Sequence, residues 1–191
     1  MTDPRVPSEL VAGAELLAGA ERGAGRVRAV LRAPAAVLGR PAADIDPTAP
    51  EAARIVADLL ATMRVSAGCV GLAAPQIGVS VNLFVVDVAA HPKTRTCHGL
   101  IALCNATILT GSQWRAGREG CMSVPDLTGD VRRAGRITVE GQVPVTGKGV
   151  EITTDAFEAR ALQHEIDHCA GLLFLDRVAG AHALHARQVY L

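Results

Sequence analysis

His164-Glu165-Ile166-Asp167-His168 is the stretch of this chain best suited to chemistry. Histidines four apart on a helix share one face, one turn above the other, so both imidazoles can reach a single metal ion. Glu165 between them is close enough to meet a water on that ion without being a ligand. The bland alternative is a pair of helix histidines that only hydrogen-bond. The surrounding residues Ala156, Phe157, Ala159, Ala161, Leu162 and Ile166 are mostly apolar. Burying two histidines and two carboxylates there is costly unless a metal or partners satisfy them. A catalytic centre of this type needs a third protein ligand and an open position for water. No histidine follows closely, because Cys169-Ala170-Gly171-Leu172 has none, and His182 and His185 come late in the chain. A thiolate would also serve, since cysteine binds zinc and iron well. Cys97-His98 with nearby His91 imitates a ligand cluster, but its spacing fits no good template.

Three motifs give the chain a family resemblance. Gly71-Leu72-Ala73-Ala74-Pro75-Gln76-Ile77-Gly78, Glu119-Gly120-Cys121-Met122-Ser123 and Gln163-His164-Glu165-Ile166-Asp167-His168 are similar to the three signature motifs of bacterial, metal-dependent peptide deformylases. They stand in the family's order at compatible spacing, and the resemblance runs from about Val30 to Val178. It implies that Cys121 is the third ligand, completing a Cys-His-His site for one divalent ion. Fe(II) is the implied native metal, with zinc or nickel as replacements in isolated protein. The implied reaction removes the formyl group from the N-terminal formylmethionine of newly made polypeptides. Metal-bound hydroxide attacks, and Glu165 is the general base. The Gln76 side-chain amide and the Met122 backbone N–H would stabilise the oxyanion. Gly71 would let the substrate backbone approach closely. Val70, Phe157, Ala161 and His164 align with positions of an apolar pocket for the methionine side chain, while Glu119 and Asp167 would orient ligands. The substrates are then N-formylmethionyl nascent chains, and a transient ribosome contact is compatible with them.

This sequence departs from the pattern at three places. Cys69 replaces a glycine two positions before Gly71, Met122 stands where leucine is usual, and Cys169 replaces the leucine after His168. None removes an essential group. Two rival readings stay open from the residues alone. One is a peptidase acting on internal bonds with a third ligand other than Cys121. The other is a silent relative that keeps the metal for structure or binding, against which the intact Glu165 and Gln76 argue.

The elements that must position these groups follow from periodicity. The metal helix is expected from about Asp155 to Cys169, with Asp155 and Glu158 as a reciprocal cap and Gly171 as the left-handed residue beyond its end. An earlier helix is expected from about Pro50 to Ser66. Ala52, Ile55, Val56, Leu59, Leu60 and Met63 form its apolar face, Thr48 its cap and Gly68 its stop. Short strand signals lie at 70–72, 81–87, 100–104 and 107–109, around Ser123, and at 137–143. A hairpin spans 137–152 with its turn at Gly147-Lys148-Gly149. Strands leading into one strong late helix point to an α+β domain, with antiparallel sheets packed around a central C-terminal helix that carries the metal ligands. Residues 1–25 read as an N-terminal extension, and 26–191 as a single catalytic domain.

Composition narrows the classes further. The 191 residues are 49% hydrophobic and 20% charged, which suits one globular domain. Nineteen basic and nineteen acidic side chains cancel, giving no general reason to expect nucleic-acid binding. Five cysteines, an odd number, fit no disulfide framework and suggest free thiols in a reducing cytoplasm. Acidic residues interrupt the N-terminal alanines where a signal peptide would be apolar, and no apolar run is long enough to span a bilayer. A cytoplasmic protein with no membrane association is the expectation.

Overall fold

Strands supply most of the framework in the computed structural model, which describes residues 25–187. The expected N-terminal extension, Gly25 apart, lies outside those residues. β1 (Gly71–Ala73), β2 (Leu83–Val86) and β3 (Ile101–Ser112) pair antiparallel. β4 (Arg115–Cys121) and β5 (Val124–Arg133) form a separate hairpin. β6 (Arg136–Gln142) and β7 (Gly149–Asp155) return to the first sheet, whose order is β1-β2-β3-β6-β7. β8 (Leu184–Ala186) adds to β5, making a three-stranded sheet β4-β5-β8. Two α-helices, α1 (Pro50–Arg64) and α2 (Ala156–Cys169), complete the α+β architecture expected from the sequence.

Every residue of β2 is buried, because the large sheet carries a helix on each face. Alternation sends Phe84 and Val86 into the core with Leu103, Val139, Ile152, Ala159 and Leu162, against α2. Leu83 and Val85 pack on the other side with Ile55, Val56, Leu59 and Leu60 of α1. A third cluster, Cys121, Val124, Val131 and Phe174, lies under the small sheet. The helix α2 is therefore held between the two sheets. Its apolar residues meet the large sheet, and Arg160 reaches the backbone carbonyls of Arg115, Gly117 and Val131 in the small one.

Several local expectations change. α1 begins after Ala49, and Thr48 instead bonds Asp46 through its backbone N–H at 2.8 Å and its hydroxyl at 2.7 Å. Pro50 needs no hydrogen-bond acceptor at that position, so the helix starts without a side-chain cap. α1 stops at Arg64 rather than Ser66. Asp155 is the residue before α2 but makes no capping bond, and Glu158 does not reach back to it. Glu158 is buried and bonds Thr154 Oγ1 at 2.6 Å and His98 at 2.8 and 2.6 Å instead, partners that a buried carboxylate requires. The two strand signals at 100–104 and 107–109 are one strand, β3, with an irregular register beyond Cys104, where Asn105 takes φ 54°. Ser123 lies in the turn between β4 and β5. Gly171 is left-handed beyond α2, as expected, and Gly147, placed in the β6–β7 turn, is left-handed too.

Candidate metal centre

His164 and His168 project from the same face of α2, with ring centroids 5.0 Å apart and planes at 84°. Cys121 ends β4, and the β4–β5 hairpin carries its sulfur to 3.2 Å from His168 Nε2. The candidate ligand atoms of Cys121, His164 and His168 all lie within 4.8 Å of one another. Bonds of about 2.3 Å to sulfur and about 2.0–2.1 Å to nitrogen at tetrahedral angles place S and N about 3.5 Å apart. The three donors fit one ion. They do not close it off, since a centre with three protein ligands leaves a position for water.

The neighbours of the ligands hold them in place. His164 Nδ1 bonds Glu119 Oε2 at 3.0 Å, which leaves Nε2 to face the centre. Glu119 in turn receives Arg133 through two N–H donors, both at 3.0 Å, and Arg160 at 2.7 Å. Burial alone would raise the Glu119 pKa, but hydrogen bonds from His164 and Arg133 outweigh it and lower it to about 2. Arg133 also contacts Asp167, which Arg177 grips at 2.6 and 3.1 Å. Arg133 thus bridges Asp167 to Glu119. On the sulfur side, the Gln76 amide donates to Cys121 Sγ at 3.4 Å, as does the Ser123 backbone N–H. Gln76 sits in a short 3-10 turn (Ala74–Ile77) closed by left-handed Gly78, and its Oε1 accepts from the Ala73 N–H at 3.0 Å.

Glu165 is buried, and burial raises its pKa to about 7. Its Oε2 has no hydrogen-bond partner among the described residues, so a donor such as water at the centre would satisfy it. A Cβ on Gly71 would stand 2.6 Å from Glu165 Oε1. A side chain at Gly71 would therefore push the Glu165 carboxylate from its place. Cys69 donates to the Gly71 carbonyl at 3.1 Å, and burial, reinforced by Glu165, pushes its thiol to about 12.

A cleft of about 970 Å³ opens at this centre. Val70, Gly71, Gln76, Met122, Phe157 and Ala161 line it, together with Glu119, Cys121, His164 and Glu165. His168 lies behind the wall, and Asp167 is set back among arginines. The imitation cluster at 91–98 does not assemble. His98 bonds Glu158, and the His91 ring stacks on Phe157 at 4.1 Å. Sequence reasoning missed Arg133, Arg160 and Ser123. Alternation along β5 holds the signal for the first, because Arg132 points out while Arg133 points in, where a buried guanidinium needs carboxylate partners.

Residues 27–183 match the family model described as Polypeptide deformylase. The chain is similar to the peptide deformylase of Halothermothrix orenii, 45% identical over 124 residues, which are 65% of this chain and 75% of the relative. Among solved structures it resembles the peptide deformylase of Thermotoga maritima, with a TM-score of 0.72 at 31% identity, covering 81% of this chain and 99% of that one. It also resembles the Met-Ala-Ser-bound class I type b peptide deformylase of Acinetobacter baumannii, with a TM-score of 0.74 at 30% identity over 81% and 100% of the two chains.

Proposed function

The chain belongs to the polypeptide deformylase family, enzymes that remove the formyl group from N-terminal methionine, and on that premise we propose how its own residues carry out the reaction. One observation carries the reading. A thiol from β4 and two imidazoles from α2 converge beside a buried carboxylate, Glu165, whose Oε2 lacks a protein partner.

Cys121, His164 and His168 would hold a divalent ion, which when bound would supply Lewis acidity to acidify water and polarise a carbonyl. Fe(II) is the native ion in this reading; zinc and nickel suit the same donors. Glu165, poised near neutrality, accepts the proton of the attacking water at its carboxylate and delivers it to the departing amine. Formate and a free α-amino group result. The Gln76 amide, with the Met122 backbone N–H, donates to the oxygen of the formyl group as negative charge develops there. Losing one such donor typically costs about 10²–10³ in rate.

Val70, Phe157 and Ala161 take the methionine side chain, and Gly71 gives the peptide backbone room. Glu119 orients His164, and Asp167 steadies Glu119 through Arg133. Met-Ala-Ser in the Acinetobacter relative supports a peptide substrate that begins with methionine. We assign catalysis to residues 26–191, acting in the cytoplasm on N-formylmethionyl nascent chains, with transient ribosome contact. No helix among the described residues is long and apolar enough to cross a membrane.

The test is formate release from formyl-Met-Ala-Ser by anaerobically prepared, Fe(II)-loaded protein. Turnover is expected, and Glu165→Gln should lower it by about 10²–10⁴ with circular dichroism unchanged. Absence of formate from the Fe(II)-loaded parent would overturn the assignment.

A further inference from the structure

Charges at the mouth of the cleft do not cancel. Arg118 and His185 share Asp130, at 2.7 and 3.0 Å, and Arg160 is engaged by Glu119. Glu165 is buried at the bottom. Lys93 and Arg187 also line the cleft, and among the described residues no carboxylate pairs with either side chain.

Both cations are presented from fixed supports. The segment 87–100 between β2 and β3 carries Lys93 and is tied to the first turn of α2. There Glu158 accepts the His98 backbone N–H at 2.8 Å and bonds its ring at 2.6 Å. Within the segment, Thr94 Oγ1 donates to the Val88 carbonyl at 2.6 Å. The Lys93 ammonium lies 5.9 Å from the centroid of the Phe157 ring, on which His91 stacks. Arg187 directly follows β8, and its backbone N–H donates to the Asp126 carbonyl at 2.9 Å. Its guanidinium fills the space above Gly120, where a Cβ would stand 2.2 Å from Nη2. Gly120 immediately precedes the ligand Cys121. One cation is thus held beside the expected methionine pocket and the other beside the ligand strand.

We propose that Lys93 and Arg187 form an anion-recognising rim that makes the enzyme favour formylmethionyl peptides with an acidic side chain at the second or third position. The inference rests on the deformylase reading of the same cleft. Exposed charge pairs have modest effects, about 1.4- to fivefold each. Two rim cations that attract a glutamate and repel a lysine should separate the corresponding peptides by about tenfold.

The experiment compares kcat/KM for C-terminally amidated formyl-Met-Ala-Ser, formyl-Met-Ala-Glu and formyl-Met-Ala-Lys, and for formyl-Met-Glu-Ala and formyl-Met-Lys-Ala. Glutamate peptides should exceed lysine peptides by about tenfold at low salt, with the gap narrowing in about 0.5 M salt as screening shortens the field. Lys93→Ala and Arg187→Ala should each shrink the ratio, and the double change to glutamate should invert it. Ratios within about twofold in the parent, or a ratio the double variant leaves unmoved, would overturn the rim while leaving the deformylase reading intact. Failure of the parent to hydrolyse any peptide would sink that reading, and the rim with it.

Discussion

Replacing Arg133 by methionine should destabilise the protein by about 3 kcal/mol and loosen its hold on metal. The arginine side chain is 5% exposed, and the carboxylates it joins, Glu119 and Asp167, are 5% and 8% exposed. Removing one partner of a buried ion pair typically costs about 3–5 kcal/mol, because the remaining charge is left uncompensated. The lower end applies here, since Glu119 retains Arg160 and His164 and Asp167 retains Arg177. Titration offers a second bound. The Glu119 carboxyl is lowered from 4.5 to about 2, a difference worth about 3 kcal/mol from all its partners together. A lowered pKa makes that contribution complete above about pH 4.5 and progressively lost as the pH falls toward 2. The gap between parent and variant should therefore narrow in acid. Guanidinium unfolding of chelator-treated protein at neutral pH and near pH 3 would measure it. Metal affinity should fall by about 10–100-fold, because Glu119, stripped of the two Arg133 donors, would hold the His164 ring less firmly. A stability loss under about 1 kcal/mol with unchanged metal affinity would refute the view that this network positions the site.

Two further outcomes follow from individual contacts. Cys121→Ser should remove most of the bound metal, read by elemental analysis of dialysed protein, because the sulfur is one of three candidate donors at the centre among the described residues. Retention of a full equivalent would point to a different third ligand. Gly71→Ala should lower kcat by about 10² with little change in the unfolding midpoint, since the new methyl displaces the Glu165 carboxylate it would otherwise touch. An unchanged kcat would mean that Glu165 has room to move without cost.

Much of this protein is written in local pattern. The four-residue spacing of His164 and His168, the apolar periodicities of α1 and α2, the left-handed glycine after α2 and the glycine turn between β6 and β7 are set by neighbours within a few residues. They were therefore legible along the chain. The Cys121 assignment came from the resemblance of motifs, and the hairpin that carries the sulfur to the helix lies within the folded chain. Register hides in sequence: β4 is rich in charged residues and glycine and carries no hydrophobic alternation, and β8 is only three residues long. They become strands because β5 offers an edge on each side.

The sequence determined which groups could bind a metal and which helix would bear two of them, because helical geometry is a property of consecutive residues. Only the tertiary structure decided their environment. Glu158 left its expected cap for His98 and Thr154, Gly71 proved to be space for a carboxylate, and Arg133 became the counter-charge of two acids distant in sequence. Burial and charge compensation depend on what the rest of the chain brings within a few ångströms, and no local pattern records that.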